Sequence, residues 1–382
     1  MSVKKRSWKT KSGEARAAFI ADYLKDGRRH HKQFSRKRDA ENWLAAQRVE
    51  IATGIHTPDR DSITIAEAGV LWLAACVARD LEPTTINQYR QHLNFHIIPL
   101  IGASKLNAIS GPTVRAFEDA LRAGGRSPAM VRKARASLGS LLADAVDRGL
   151  SARNAVRDSR SRRHAREDRR RRRLEISRDI PDRSEVAALL RAAPERWRPF
   201  FMVTALCGLR ASELRALRWS DVDLRAGYLH VRQRADYRRT IGRPKSLAGE
   251  RSVPIPPACR DALDTWRASC PPGPLDLVFP TDRGTVQGLS NIVRRVLHPT
   301  WIAAGVITAG KPKYTGMHSL RHFAASWMLN RAADGGLGLS LKQVQERLGH
   351  ATLQMTADTY GHLFPANDAG ELAAGEAALL RS

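Results

Sequence analysis

The stretch "LGHATLQMTADTYGHL", residues 348–363, carries a glycine that stops one helix, then His350, then a short run ending in Tyr360 and a second glycine. A tyrosine near the end of a chain is ordinarily a half-buried packing ring. Whether its hydroxyl is instead a reactive atom depends on what the rest of the chain brings to it. The stretch "GMHSLRHFAAS" (316–326) puts His318 and Arg321 three residues apart, neighbours on one helix face. His318 and His322 stand at i and i+4, as on a zinc helix. However, Ser319 follows the first histidine where a metalloprotease needs glutamate, and no thiolate lies nearby, so no metal is expected.

Further upstream, "TALCGLRASELRALRWSDVDL" (204–224) sets Arg210 just after a glycine break and Glu213 three residues on, an acid placed to support the arginine. The segment "LHVRQRADYRRTIGRPKSLAGERSVPI" (229–255) reads as strand, loop and strand, with Lys245 near the turn. Two arginines, two histidines, a lysine and a tyrosine, without an acidic metal cage, suit phosphodiester chemistry. Arg210 and Arg321 can fork onto the two non-bridging oxygens and hold the charge that grows during attack. A phenol with a pKa of roughly 10 costs about 4 kcal/mol to ionise at neutral pH, so Tyr360 needs help as a nucleophile. His318 is placed to accept its proton, Lys245 to protonate the leaving 5′ oxygen, and His350 to hydrogen-bond the phosphate or the leaving side. No cofactor is required, because the broken ester's energy stays in the phosphotyrosine link.

Composition points to the same partner. The 382 residues carry 64 Lys+Arg against 38 Asp+Glu, a net charge of +26, so a polyanion is the expected ligand, and nucleic acid leads. The excess is local: residues 1–40 hold 13 basic and 4 acidic side chains, and residues 157–173 hold 10 arginines and 3 acids. Four cysteines outside any CxxC spacing read as reduced thiols of a cytosolic protein. The basic N-terminus lacks the apolar stretch of a signal peptide, and no apolar run is long enough to cross a bilayer, so no membrane partner is expected.

The fold class expected is mainly α with small β-sheets, in several domains. Residues 1–57 read as a small sheet-plus-helix module: an Asp26-Gly27 turn joins two strands, the second carrying Arg28, Arg29 and Lys32, and Ser35 caps a helix bearing Ala40, Trp43 and Leu44 that ends at Gly54. Residues 62–156 read as a helical bundle, with helices over 64–78, 84–97, 112–122 and 128–147. The last has an apolar stripe from Val131 to Ala145, Ser127 before it and Gly149 after. Residues 157–178, including Arg169, Arg170, Arg171, Arg172 and Arg173, form a solvated linker or a strap laid on a polyanion. Residues 179–382 form a third, mixed, mostly helical domain with a C-terminal tail whose Leu372, Leu379 and Leu380 share a helix face.

Arg210 in "GLRASEL", Lys245 in "PKSLAGERSVPI", His318 and Arg321 in "HSLRH", His350 in "LGH" and Tyr360 in "TYGHL" occur in the order found in one family: the chain resembles the tyrosine recombinases, specifically phage-type integrases. The resemblance covers nearly the whole chain. It implies a catalytic domain and a helical core-binding domain that close as a clamp on DNA, with an N-terminal arm-site-binding module whose sheet reads a groove. It also implies a site-specific recombinase that cuts and rejoins double-stranded DNA at core and arm sites through a 3′-phosphotyrosine and a Holliday junction. Such an enzyme integrates or excises a mobile element as a homo-tetramer whose C-terminal tail docks on a neighbour, with a directionality factor or DNA-bending protein as a further partner, in the cytoplasm on nucleoid DNA. A type IB topoisomerase would use the same chemistry to nick and reseal one duplex. A DNA-binding regulator without catalysis would not need the six residues. One departure stands out: relatives often have Asn-Pro after the core-binding helices, where this chain has Asn154-Ala155.

Overall fold

A computed structural model describes residues 1–10, 14–25, 28–52, 62–159, 173–244, 246–363, 376–377 and 379–381. The Asp26-Gly27 turn, Gly54, Arg169–Arg172, Lys245 and Leu372 lie outside the described residues, as does the side chain of Arg28. The chain divides into two compact units, Met1–Arg170 and Arg171–Ser382. Among the described residues no helix is long and apolar enough to cross a membrane.

The first unit begins with an antiparallel sheet of β1 (Ser2–Lys9), β2 (Ala15–Lys25) and β3 (Arg28–Phe34), in that order. Lys25 pairs with Arg28, the register of the two-residue hairpin expected from Asp26-Gly27. β1 was not expected: its one-sided charge hides it, and it is a strand because its backbone pairs residue for residue with β2 from Ser2–Asp22 to Lys9–Ala15. Helix α1 (Lys37–Ala52) starts two residues beyond Ser35, so that serine does not cap it. The first helical N–H bond runs from Ala40 to the Arg36 carbonyl. Ala40 and Leu44 of α1 pack on Ala21 and Tyr23 of β2, with Val3, Phe19, Phe34 and Trp43 around them.

Strand alternation then assigns the two sheet faces. Lys32 pairs with Ala21 on the helix side, and its ammonium lies 5.7 Å from the centroid of Trp43; it therefore belongs to the covered face, unlike Arg29. The open face carries Lys4, Arg6, Trp8, Arg16, Arg29, His31 and Gln33, the last two opposite Asp22 and Ile20. Arg29 Nε donates to Asp22 at 2.7 Å, so one acid already shares that face.

The bundle follows the sequence pattern closely where caps declare the ends. Helix α2 (Ile65–Ala78) opens with a capping box of Thr64 and Glu67, and α5 (Pro128–Asp147) opens on Ser127 and stops before Gly149 at φ +70°. Between them, α3 (Pro83–His92) does not run on to Ile97 as one α-helix. A π-turn at Leu93–Ile97 intervenes before a further α-turn at Ile98–Ile101, and α4 spans Gly111–Ala123. The core gathers Trp72, Leu93, Ile97, Phe117, Leu138 and Leu141. The Asn154-Ala155 departure has a local role. The Asn154 side chain accepts from the backbone N–H groups of Val156 and Arg157 and donates to the Gly139 carbonyl, starting the short helix α6 (Ala155–Asp158) against α5.

In the second unit, Leu174 already packs on the core, and Arg173 is exposed. Helices α7 (Arg183–Ala192) and α8 (Arg198–Met202) lead through a π-turn at Val203–Cys207 to Gly208 and then α9 (Ala211–Leu214). A three-stranded antiparallel sheet orders β4 (Val222–Asp223), β5 (Tyr228–Val231) and β8 (Arg251–Pro254). A second hairpin, β6 (Arg234–Ala235) with β7 (Ile241–Gly242), lies between β5 and β8 in sequence. Helix α10 (Pro257–Ser269) precedes α11 (His318–Leu329), α12 (Leu341–Leu348) and α13 (Leu353–Tyr360). Phe200, Phe201, Leu214, Trp301 and Leu320 lie in the main core, and Ala324, Met328, Val344, Leu348 and Tyr360 form a smaller one where the last three helices meet.

Candidate active site

Gly208 has φ +69°, a left-handed conformation that ends the π-turn, and a Cβ there would stand 2.8 Å from Leu348. This bend frees the Gly208 carbonyl and starts α9 two residues later at Arg210. The Arg210 backbone N–H donates to Glu213 Oε2 at 2.8 Å and its Nη1 to Oε1 at 2.7 Å, so the expected pair forms and also caps the helix. Arg210 Nη2 reaches the Gly349 carbonyl at 2.9 Å. Arg321, one turn into α11 and almost fully buried, donates from Nη1 to the Gly208 carbonyl at 2.5 Å and from Nη2 to Leu348 at 2.6 Å. Each guanidinium thus spends two of its five N–H groups on described partners, and three remain.

Sequence reasoning missed a third arginine. Arg251, at the start of β8, donates to both Glu213 oxygens (3.2 and 2.9 Å), to the Gly249 carbonyl and, from Nε, to the Arg347 carbonyl at 2.7 Å. Four of its N–H groups are occupied, which makes it a brace between β8, α9 and the end of α12. Burial alone would raise the Glu213 pKa, but Arg251 and then Arg210 hold it down to about 2. Burial and Arg210 pull Arg321 down to about 9, so its charge is held at some electrostatic cost. The three arginines around one carboxylate leave excess positive charge that an anion would relieve.

His318 begins α11, where burial and then Arg321 and Arg210 lower its pKa. His350 follows Gly349, whose φ of +64° ends α12. Its Nδ1 lies 2.9 Å from Thr356 Oγ1, and Gln345 Nε2 donates to its carbonyl at 2.6 Å. Its ring is nearly parallel to that of Tyr360, centroids 6.2 Å apart. Tyr360 ends α13 at 2% exposure, so it is both the packing ring and the candidate reactive group. The phenol's hydrogen-bond partner among the described residues corrects one expectation: it is His322 Nδ1, at 2.8 Å, rather than His318. Which of the two histidines meets the phenol is decided by where α13 lies across α11, and helical spacing does not encode that. Burial raises the Tyr360 pKa to about 12 against the opposing pull of Arg321 and Arg210, so ionising it at pH 7 costs about 7 kcal/mol, more than an exposed phenol. Of the six residues expected at the site, five are brought together here, and Lys245 lies outside the described residues.

Residues 182–367 match the phage integrase family, and residues 64–121 match the N-terminal SAM-like domain of phage integrases. A putative prophage phiRv2 integrase of Mycobacterium tuberculosis is 29% identical over 331 residues, covering 84% of this chain and 82% of that protein. The fold is shared with the Tn1549 transposon integrase solved in complex with a circular intermediate DNA (TM-score 0.66, 14% identity, 83% of this chain and 100% of that one). It is shared too with a lambda integrase tetramer bound to a Holliday junction (TM-score 0.57, 17% identity, 91% and 95%). The chain belongs to the phage integrase family of tyrosine recombinases. It is an enzyme of site-specific DNA recombination.

Proposed function

We propose that the chain integrates or excises a mobile element by cleaving DNA with Tyr360, which takes the scissile phosphorus and leaves a 3′-phosphotyrosine and a free 5′ hydroxyl. The observation that carries this reading is the meeting of Tyr360 with His350, His322 and the Arg210–Glu213–Arg251–Arg321 cluster in one unit. Arg210 and Arg321, fixed by backbone carbonyls, hold the non-bridging oxygens with their remaining N–H groups, so little reorganisation is needed as charge develops. His318 and His350 hydrogen-bond the phosphate, and Lys245 protonates the leaving oxygen.

Residues 1–57 act as the arm-site module, presenting the open sheet face of Lys4, Arg6, Arg16 and Arg29 to a groove. Residues 62–156 act as the core-binding domain, with Arg169–Arg173 as a basic strap between it and the catalytic domain at 179–382. Four copies exchange strands between two sites through a Holliday junction, with a directionality factor or DNA-bending protein setting the outcome, on cytoplasmic nucleoid DNA. Support for assembly comes from the lambda integrase, which was solved as a tetramer on such a junction.

The test is covalent capture. Wild-type protein on nicked target duplex should give a denaturation-resistant adduct that is lost in Tyr360→Phe. An adduct that survives the substitution means another residue attacks. Exchanged products from two sites, rather than relaxation of one duplex, separate recombination from topoisomerase action.

A further inference from the structure

The catalytic set named so far leaves one buried, titratable group unexplained. His322 lies on α11 directly after Arg321, and its Nδ1 is 2.8 Å from the Tyr360 hydroxyl, the rings tilted at 60° with centroids 5.7 Å apart. We propose that His322 is a catalytic residue, the base that takes the phenolic proton of Tyr360 as its oxygen attacks phosphorus. The inference rests on the reading of Tyr360 as nucleophile.

A base must be unprotonated and within reach of the proton it removes. Reach is met by the hydrogen bond. The charge state follows from the surroundings: burial first, then His318 and Arg321 on the same helix, pull the His322 pKa down to about 4, and Asp179 opposes them. From the α12–α13 side, His350 and Tyr360 face it. At neutral pH the ring is therefore uncharged. With the phenol as donor, Nδ1 accepts and the ring's own proton sits on Nε2.

So weak a base does not ionise the phenol in advance. Transfer becomes favourable only as the Oη–P bond forms, because the phenol oxygen is then turning into a phosphoester oxygen, which holds a proton far more weakly. In the cleavage step the Oη–P bond forms and the P–O5′ bond breaks. The phenolic proton passes to His322 Nδ1, and the leaving oxygen takes a proton from the acid on its own side. Resealing returns each proton along the same route, and no outside reagent is consumed. His318 is then left with Arg321 on the phosphate side.

The test uses the full chain and a nicked duplex selected from a random-sequence pool by covalent capture on the wild-type protein. Adduct formation is followed from pH 5.5 to 9.5 for wild type, His322→Gln, His322→Ala and His318→Gln, with Tyr360→Phe as control. Loss of a general base should slow cleavage by about 10²-fold or more at pH 7. The His322 variants should then gain rate with rising pH where the wild type is flat, and added imidazole should restore His322→Ala. His318→Gln should keep the wild-type pH profile. If the alanine variant melts early, the glutamine variant carries the comparison. A uniformly slower His322 variant with the wild-type pH profile and no response to imidazole assigns this residue a packing role and overturns the proposal. So does a His322 variant that cleaves at the wild-type rate. An adduct formed by Tyr360→Phe, or none captured by the wild type, counts against the nucleophile assignment instead.

Discussion

The arginines and the tyrosine of the second unit are held in opposite ways. Arg210, Arg251 and Arg321 are pinned by Glu213 and by carbonyls of residues 208, 249, 347, 348 and 349, which belong to several elements distant in sequence. The Tyr360 hydroxyl hangs on a single hydrogen bond to His322 at the last residue of an eight-residue helix. The difference teaches that the anion cradle is preorganised and expensive to disturb, whereas the nucleophile is held by packing plus one polar contact. A group that must travel to phosphorus and back suits the second kind of restraint.

The comparison breaks most directly at Glu213. Glu213→Ala leaves Arg251 buried beside Arg210 and Arg321 without its acid, and should cost about 3–5 kcal/mol of stability, read as a lower denaturant midpoint of the full chain. Gly208→Ala comes next. A left-handed alanine that also presses on Leu348 should cost about 2–4 kcal/mol and slow cleavage by shifting the carbonyl that holds Arg321. On the tyrosine side, Thr356→Val removes the partner of His350 Nδ1 inside a fully buried contact, at about 1–3 kcal/mol by the same denaturant midpoint. Tyr360→Phe should change stability least, by about 1 kcal/mol, while abolishing the adduct. A Tyr360→Phe loss as large as that of Glu213→Ala would erase the contrast.

Acid sharpens the same comparison by its window. His322 and His350 bind protons more weakly folded than unfolded, at about 4 in place of 6.5. The unfolded chain therefore gains protons first, and their contribution is lost as pH falls from about 6.5 toward 4. Glu213, held near 2 when folded, is full strength above its ordinary 4.5 and fails only as pH drops below that. Melting temperature against pH should fall in two stages, the tyrosine's surroundings before the arginine cradle.

What the sequence made legible follows the range of each interaction. Arg210 with Glu213, the caps at Thr64 and Ser127, and the Asp26-Gly27 hairpin are all settled within a few residues, so spacing alone reveals them. Arg251 could not be found that way, because its acid is 38 residues distant and its carbonyl partner at Arg347 is 96 away. His322 was visible only as a zinc-like i+4 partner of His318, since its real neighbour arrives from another helix. Lys32 was misread although the signal was present: alternation puts it with His30 and Phe34, the residues facing α1. β1 gave no signal of its own, as "SVKKRSWK" has few apolar positions and owes its strand to pairing with β2.

The π-turn at Val203–Cys207 makes the chain intolerant of a change in residue number at that point. A turn closed five residues back holds one residue more than an α-turn, so deleting any one of them would rewind everything beyond by about 100° and draw it back about 1.5 Å. Arg210 and Glu213 would rotate away together, still paired with each other, and lose register with Gly349 and Arg251. Side chains in this segment can therefore drift in evolution, but an insertion or deletion there should be purged.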